Sequence, residues 1–203
     1  MNTDELIAKL SKIDQTSAGS NPMMPWYRKI VKPSAKTLST AKKAAVLVHI
    51  FQGEQGLEVL YMRRPDYDGT HGGQVSFPGG RREEEDLSFK QTAIREAREE
   101  VGLFYEDYRI IQALEPLYIP PSNFLVHPFV SIAEEQPELE LDPKEVAYTF
   151  SVPLSELRQG DLMGSAKVQT KLGKVKVPAY LWKDEVIWGA TAIITARLVA
   201  LLS

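Results

Sequence analysis

The chain contains no cysteine. That absence removes disulfides, thiolate nucleophiles and cysteine-based metal sites together, and it fits a reducing compartment. Histidine is scarce, at positions 49, 71 and 127 only, so a paired-histidine zinc helix is excluded. There is no strong excess of one charge: the formal net charge is -3, which gives no general attraction to nucleic-acid phosphate, and no nucleic-acid partner is expected. Long apolar runs are missing too. Ala44 to Phe51 is short, and Trp188 to Leu202 is interrupted by Thr191, Thr195 and Arg197, so neither reads as a membrane span. The opening residues MNTDELIAKLSKI carry charge at helical spacing and lack the basic-then-apolar layout of an export signal, which makes the cytoplasm the expected location. A phosphate-cradling glycine loop ending in Lys and Ser or Thr, and a Gly-x-Ser-x-Gly elbow, are both absent.

What is present suits one globular domain: 203 residues, 43% of them hydrophobic and 25% charged, enough to bury a core. The chain divides into an N-terminal helix and extension, residues 1–40, and a domain over residues 41–203. Residues 4–13 read as a short amphipathic helix, and the polar, proline-bearing passage from Asp14 to Thr40 as a linker whose Trp26 and Tyr27 dock on the domain. Strands are expected over Lys43 to Phe51, Leu57 to Arg63, Gln74 to Phe77, Tyr108 to Ile119, Phe124 to Ala133 and Glu145 to Ser151. Two or three more fall within Ala166 to Ile187. Pro78, Gly79 and Gly80 are expected to stop the third strand. Helices follow over Pro153 to Arg158 and, as an amphipathic closing element, over Gly189 to Leu202. This order predicts an α/β (α+β) fold with a mixed sheet between helices.

The chemistry concentrates in Gly79 to Leu103, where a double glycine leads through a run of carboxylates into a helix. At about 100° per residue, Glu96, Glu99 and Glu100 fall within roughly 100° of one another. Ile94, Ala97 and Val101, with Ala93 at their edge, form an opposing apolar stripe suited to burial. Three carboxylates on one stripe are either a solvated face or a set for a hard cation such as Mg²⁺, which takes one or two carboxylates, waters and a substrate phosphate. Glycines upstream let backbone approach an ion or phosphate. Arg95, beside the stripe, has Glu83, Glu85 and Asp86 as candidate partners. Asp66 to Gly69 opens like a calcium loop but has Phe77 at the twelfth place, where a glutamate is needed.

The residues Arg95 to Leu103, REAREEVGL, match the second half of the Nudix box at every specified position, and the chain resembles that family over roughly residues 43–203. In the first half, Gly80 is followed after five residues by Asp86 and then by eight residues before Arg95, one more than the family pattern, which leaves open which acid meets Arg95. The same shift, together with VLYMRRPDYDGTHGGQVSFPGG, IPPSNFLVHPFV and EVAYTFSVPLSEL, resembles the coenzyme A pyrophosphatase branch. The resemblance implies a Nudix-type α/β/α sandwich and metal-dependent hydrolysis of a pyrophosphate bond in coenzyme A or acyl-coenzyme A, with ADP-ribose or another nucleoside diphosphate derivative as the alternative substrate. A non-catalytic nucleotide-sensing module is the alternative of another class. It implies Mg²⁺ or Mn²⁺ held by Glu96, Glu99, Glu100 and the Gly80 carbonyl, Arg95 as organiser of the loop, and Glu96 or Glu145 as the base. A small-molecule nucleotide diphosphate substrate and a homodimer are the partners implied.

Other residues carry two readings each. Arg63 and Arg64 end a strand where they either hold substrate phosphate bidentately, alongside the Gly79 and Gly80 backbone, or form surface ion pairs. Phe124 follows a rigid Pro120-Pro121 loop and either stacks on a base or packs within its strand. His71 reads as a polar turn residue, His49 and His127 as core or sheet-face histidines. Trp182 and Trp188 fill core. Lys167, Lys171, Lys174 and Lys176 mark a hairpin protected by charge, with a substrate phosphate as their other partner.

Overall fold

The computed structural model of the chain describes residues 2–11, 21–25, 33–66, 72–170 and 173–202. Trp26, Tyr27, His71, Lys171 and most of the Asp66 to Gly69 turn lie outside these. The elements in order are α1 (Thr3–Ser11), α2 (Ala35–Thr40), β1 (Lys42–Gly53), β2 (Gly56–Arg63), β3 (Val75–Ser76), β4 (Gly79–Arg81), α3 (Phe89–Val101), β5 (Arg109–Ala113), β6 (Leu117–Ile119), β7 (Phe124–Ala133), β8 (Tyr148–Pro153), α4 (Leu154–Gln159), β9 (Met163–Thr170), β10 (Gly173–Trp182), β11 (Glu185–Trp188) and α5 (Gly189–Leu201).

The main sheet runs β3-β2-β1-β7-β5, with β4 also on β1, β6 on β7 and β8 on β2. It is mixed, because β1 and β7 are parallel while β1 pairs antiparallel with β2 and β4. Side chains alternate across a strand, and β1 obeys this. Ala45, Leu47 and Phe51 face Ala93, Ala97 and Val101 of α3, while Ala44, Val48 and Ile50 belong to the opposite core with α1 and α5. The result is an α/β/α sandwich. Leu6 and Leu10 of α1 are fully buried in that second core, so the N-terminal helix packs on the sheet. A smaller sheet, β11-β10-β9, plants Tyr180, Trp182 and Ile187 in the same core. No helix among the described residues is long and apolar enough to cross a membrane.

Several expectations need correction. β3 does stop before Pro78, at Ser76, but Gly79 and Gly80 then re-enter the sheet as β4, pairing with Val46 and Ala45. Gly79 has φ 150° and would place a Cβ 2.6 Å from Val46 Cα, so a side chain there would block the crossing from β2 to β1 that only glycine permits. Tyr108 to Ile119 is two strands, with a bulge between Ile110 and Gln112. Glu145 is in a turn, and β8 begins at Tyr148. The stretch read as linker contains α2, capped by Ser34, whose hydroxyl accepts from Thr37 N. The closing helix is not amphipathic, since residues 191–196 and Leu198 are all buried. Its two threonines are satisfied internally, Thr191 donating to Val75 O at 3.0 Å and Thr195 to Thr191 O at 2.9 Å.

Candidate active site

Local chemistry sets α3 in place. Ser88 caps its start by accepting from Gln91 N, satisfying one of the orphan donors of a helix N-terminus. Gly102 ends it at φ 73°, the left-handed conformation that glycine adopts without strain. The last carbonyls are taken up by a later segment: Glu140 N donates to Val101 O at 3.1 Å and Asp142 N to Glu100 O at 3.0 Å. That lacing brings the 142–146 turn, and Glu145 with it, against the end of α3.

The carboxylates on α3 do not share one environment. Ile94 is half-exposed instead of anchoring the apolar stripe, and Glu100 is buried in its place with Thr92. Glu100 accepts from Gly79 N at 2.6 Å and from Arg64 Nη2 at 3.0 Å. Burial pushes its carboxyl up to about 7, with Glu96 and Glu145 adding repulsion while Arg64 and the Gly79 amide oppose. Glu96 is also raised, chiefly by burial, with Arg95 opposing and Glu99 and Glu145 reinforcing. Glu99 turns outward, its side chain 58% exposed and bonded to Arg95 at 2.9 Å.

Asp86 answers which acid meets Arg95. It accepts from Arg95 Nε at 3.1 Å and Nη2 at 3.0 Å, from Thr92 Oγ1 at 2.9 Å and from Glu83 N at 2.9 Å. The Arg95 guanidinium holds its carboxyl down at about 2. Glu83 lies 4.0 Å from Arg95, and Glu85 is exposed. Arg95 also reaches Glu96 at 3.0 Å and Arg81 O at 3.1 Å, so one guanidinium ties the loop, β4 and the helix together. Thr92 was missed in the sequence; it lies on the same helical face as Arg95, three residues away, which is the signal that would have found it.

Gly79 and Gly80 line this site. A Cβ on Gly80 would lie 2.6 Å from Glu96 Cδ, so the glycine is the recess that the Glu96 carboxylate occupies. Arg64 joins the site, donating to Gly79 O at 3.3 Å and to Glu145 at 3.4 Å as well as to Glu100. Arg63 does not. It projects from the other face of the strand and pairs with Glu185 at 3.0 Å, an acid that also accepts from Tyr148. Phe124 sits opposite Lys42 at the start of β7, with the ammonium 5.6 Å from its ring centroid, and is not brought to the carboxylates.

His49 and His127 lie within the sheet, away from the carboxylates of α3. His49 Nδ1 meets Ser131 Oγ at 2.9 Å, and burial lowers its imidazole to about 4. His127 stacks on Phe89 with ring centroids 3.7 Å apart, and burial lowers it too. Lys167, Lys174 and Lys176 are exposed on the β9–β10 hairpin.

Among the described residues no three acidic or histidine groups are gathered as a metal cage. The donor set nonetheless suits a hard cation that keeps most of its waters. Burial raises the carboxyls of both Glu96 and Glu100, and the glycine recess brings backbone to Glu96. Added positive charge would relieve both.

A domain model described as NUDIX matches residues 41–171. A Nudix hydrolase of Photorhabdus laumondii called NudL, itself uncharacterized, is 35% identical over 167 residues, spanning 82% of this chain and 88% of its own. A human protein named mitochondrial coenzyme A diphosphatase NUDT8 is 30% identical over 179 residues, 87% of this chain and 76% of its own. Among solved structures, a MutT/nudix family protein from Enterococcus faecalis superposes with a TM-score of 0.53 at 13% identity, over 98% of this chain and 73% of that one; this likeness speaks to the fold.

Proposed function

From the premise that the chain belongs to the Nudix family of hydrolases, we propose that it cleaves the pyrophosphate bond of coenzyme A or acyl-coenzyme A, giving 3',5'-ADP and (acyl-)4'-phosphopantetheine. The observation that carries the chemistry is a buried carboxylate, Glu100, beside a partly buried one, Glu96, set against Gly79 and Gly80. The choice of substrate is supported by the human relative named for that activity.

Glu96, Glu100 and the Gly80 carbonyl would hold Mg²⁺ or Mn²⁺, with Glu99 as a further ligand. A bound divalent cation supplies neutralisation of the charge that grows on the phosphoryl oxygens. Arg95 fixes Glu96 from behind, and Asp86 and Thr92 fix Arg95. Water attacks one phosphorus, the bond to the bridging oxygen breaks with its electron pair leaving on the other phosphate, and the water's proton passes to a carboxylate. Glu145 takes that role. Its side chain is 54% exposed and meets Arg64 at 3.4 Å, whereas Glu96 is only 14% exposed and bonded to Arg95. A base must reach the proton it removes, and Glu145 is the freer of the two.

Residues 41–203 form the hydrolase domain in this reading and residues 1–40 its extension. A homodimer and a cytoplasmic location belong to the same proposal; light scattering checks the first and fractionation the second. The substrate is tested by offering coenzyme A, acyl-coenzyme A and ADP-ribose with Mg²⁺ and with Mn²⁺ and identifying products by mass. Release of 3',5'-ADP is expected. Cleavage of ADP-ribose with coenzyme A left intact would overturn the substrate assignment and leave the Nudix chemistry standing.

A further inference from the structure

Arg64 follows directly on β2, its amide donating to Gln74 O at 3.0 Å, and its guanidinium enters the acidic site. Nη2 donates to Glu100 Oε1 at 3.0 Å and to Gly79 O at 3.3 Å, and Nη1 to Glu145 Oε2 at 3.4 Å. Two carboxylates and a backbone carbonyl around one positive charge are also what a hard cation collects. The side chain of Arg64 is 20% exposed and that of Glu100 is 3% exposed, so this pair is poorly screened by water. A guanidinium keeps its charge and spreads donors in a fixed fork, which lets one residue bridge Glu100 and Glu145.

We propose that Arg64 is an internal stand-in for the divalent cation: it neutralises Glu100 and Glu145 and ties them to Gly79 until the cation arrives, and then yields them. The inference rests on the reading of Glu96 and Glu100 as cation ligands. It makes Arg64 a competitor of the cation. Removing the guanidinium therefore loosens the cation-free protein and tightens cation binding. An arginine that only arranged the carboxylates for the cation would, on removal, weaken that binding.

The test uses the full chain as wild type, Arg64→Met and Arg64→Lys. Mn²⁺ alone is titrated in, free Mn²⁺ is read by electron paramagnetic resonance, and thermal melts are recorded with and without it. Arg64→Met is expected to bind Mn²⁺ about tenfold more tightly, in line with the loss of one partly screened competing charge pair. It melts below wild type without Mn²⁺, and the gap narrows at saturation because binding to the native state stabilises it. Arg64→Lys, which cannot bridge both acids, binds more tightly than wild type by a smaller factor and decides the matter if Arg64→Met does not fold. Affinity equal to or weaker than wild type in the folded variants overturns the proposal. Glu96→Gln, run alongside, separates the premise: if it binds Mn²⁺ as wild type does, the cation is not held here and the reading of the site falls with the role of Arg64.

Discussion

Replacing Gly80 with alanine adds one methyl group where the Glu96 carboxylate lies. The new Cβ would stand 2.6 Å from Glu96 Cδ, and ordinary van der Waals contact begins near 3.4 Å, so the carboxylate retreats by about 1 Å. The obstacle is the end of a flexible side chain, and Gly80 is not among the glycines with positive φ. Alanine therefore costs the fold about 1 kcal/mol at most. Catalysis is less forgiving, since a displacement of that size in a positioned group lowers the rate on the order of 100-fold. Gly79→Ala is the contrasting case. Its Cβ would meet the backbone of Ala45 and Val46 at φ 150°, which cannot move without parting β4 from β1, and about 2 kcal/mol or more of stability is lost. Steady-state coenzyme A hydrolysis and thermal denaturation of both variants make the comparison. A Gly80→Ala enzyme with the wild-type rate would refute the claim that the recess exists to seat Glu96.

Asp86, His49 and Thr92 are buried, and each sets a measurable stability. Arg95 holds Asp86 at about 2, below its ordinary 3.8; a depressed carboxyl stabilises the fold above its unfolded pKa, so about 2 kcal/mol is lost as pH falls from roughly 4 toward 2. Denaturant titrations across that window, with Asp86→Asn flattening the dependence, check it. His49, lowered to about 4 from 6.5, stabilises the fold above pH 6.5 as the neutral ring and loses about 3 kcal/mol as pH drops through 4; unfolding free energies at pH 7 and pH 4.5 for wild type and His49→Phe isolate that slope. Thr92→Val removes one donor to Asp86 at 2.9 Å while keeping shape, and lowers stability by about 1 kcal/mol in thermal melts.

Much of the fold was legible in the sequence because periodicity and punctuation agree there. The span Phe124 to Ala133 is β7 residue for residue, and Leu57 to Arg63 falls within β2 and shares its last residue. The box motif located Glu96, Glu99, Glu100 and Arg95, and the spare residue after Asp86 marked the place where the first half differs. What spacing could not supply was the side on which neighbours lie. Three glutamates within one arc look equivalent on a bare helix, yet the Gly79 amide and Arg64 draw Glu100 inward while Arg95 draws Glu99 out. Burial of Glu100 depends on the chain re-entering the sheet as β4 directly after Pro78, and prolines and glycines at a strand end read locally only as a stop. Glu145 reaches the site only because its turn is laced to the carbonyls of Glu100 and Val101, a contact between segments some forty residues apart in sequence that leaves no local pattern. Arg63 ends β2 and Arg64 follows it; alternation along an extended chain turns neighbours to opposite sides without saying which one holds the acids.

In the proposed cation-dependent diphosphate hydrolysis Glu100 is the central residue. Its most direct test is the turnover of coenzyme A by Glu100→Gln against wild type, at saturating Mg²⁺ or Mn²⁺, with 3',5'-ADP quantified. Gln keeps the side chain's size and its acceptor for the Gly79 amide but removes the negative charge. The predicted result is a fall of several orders of magnitude, as expected when charge stabilisation in the transition state is lost. Turnover equal to that of wild type would contradict it.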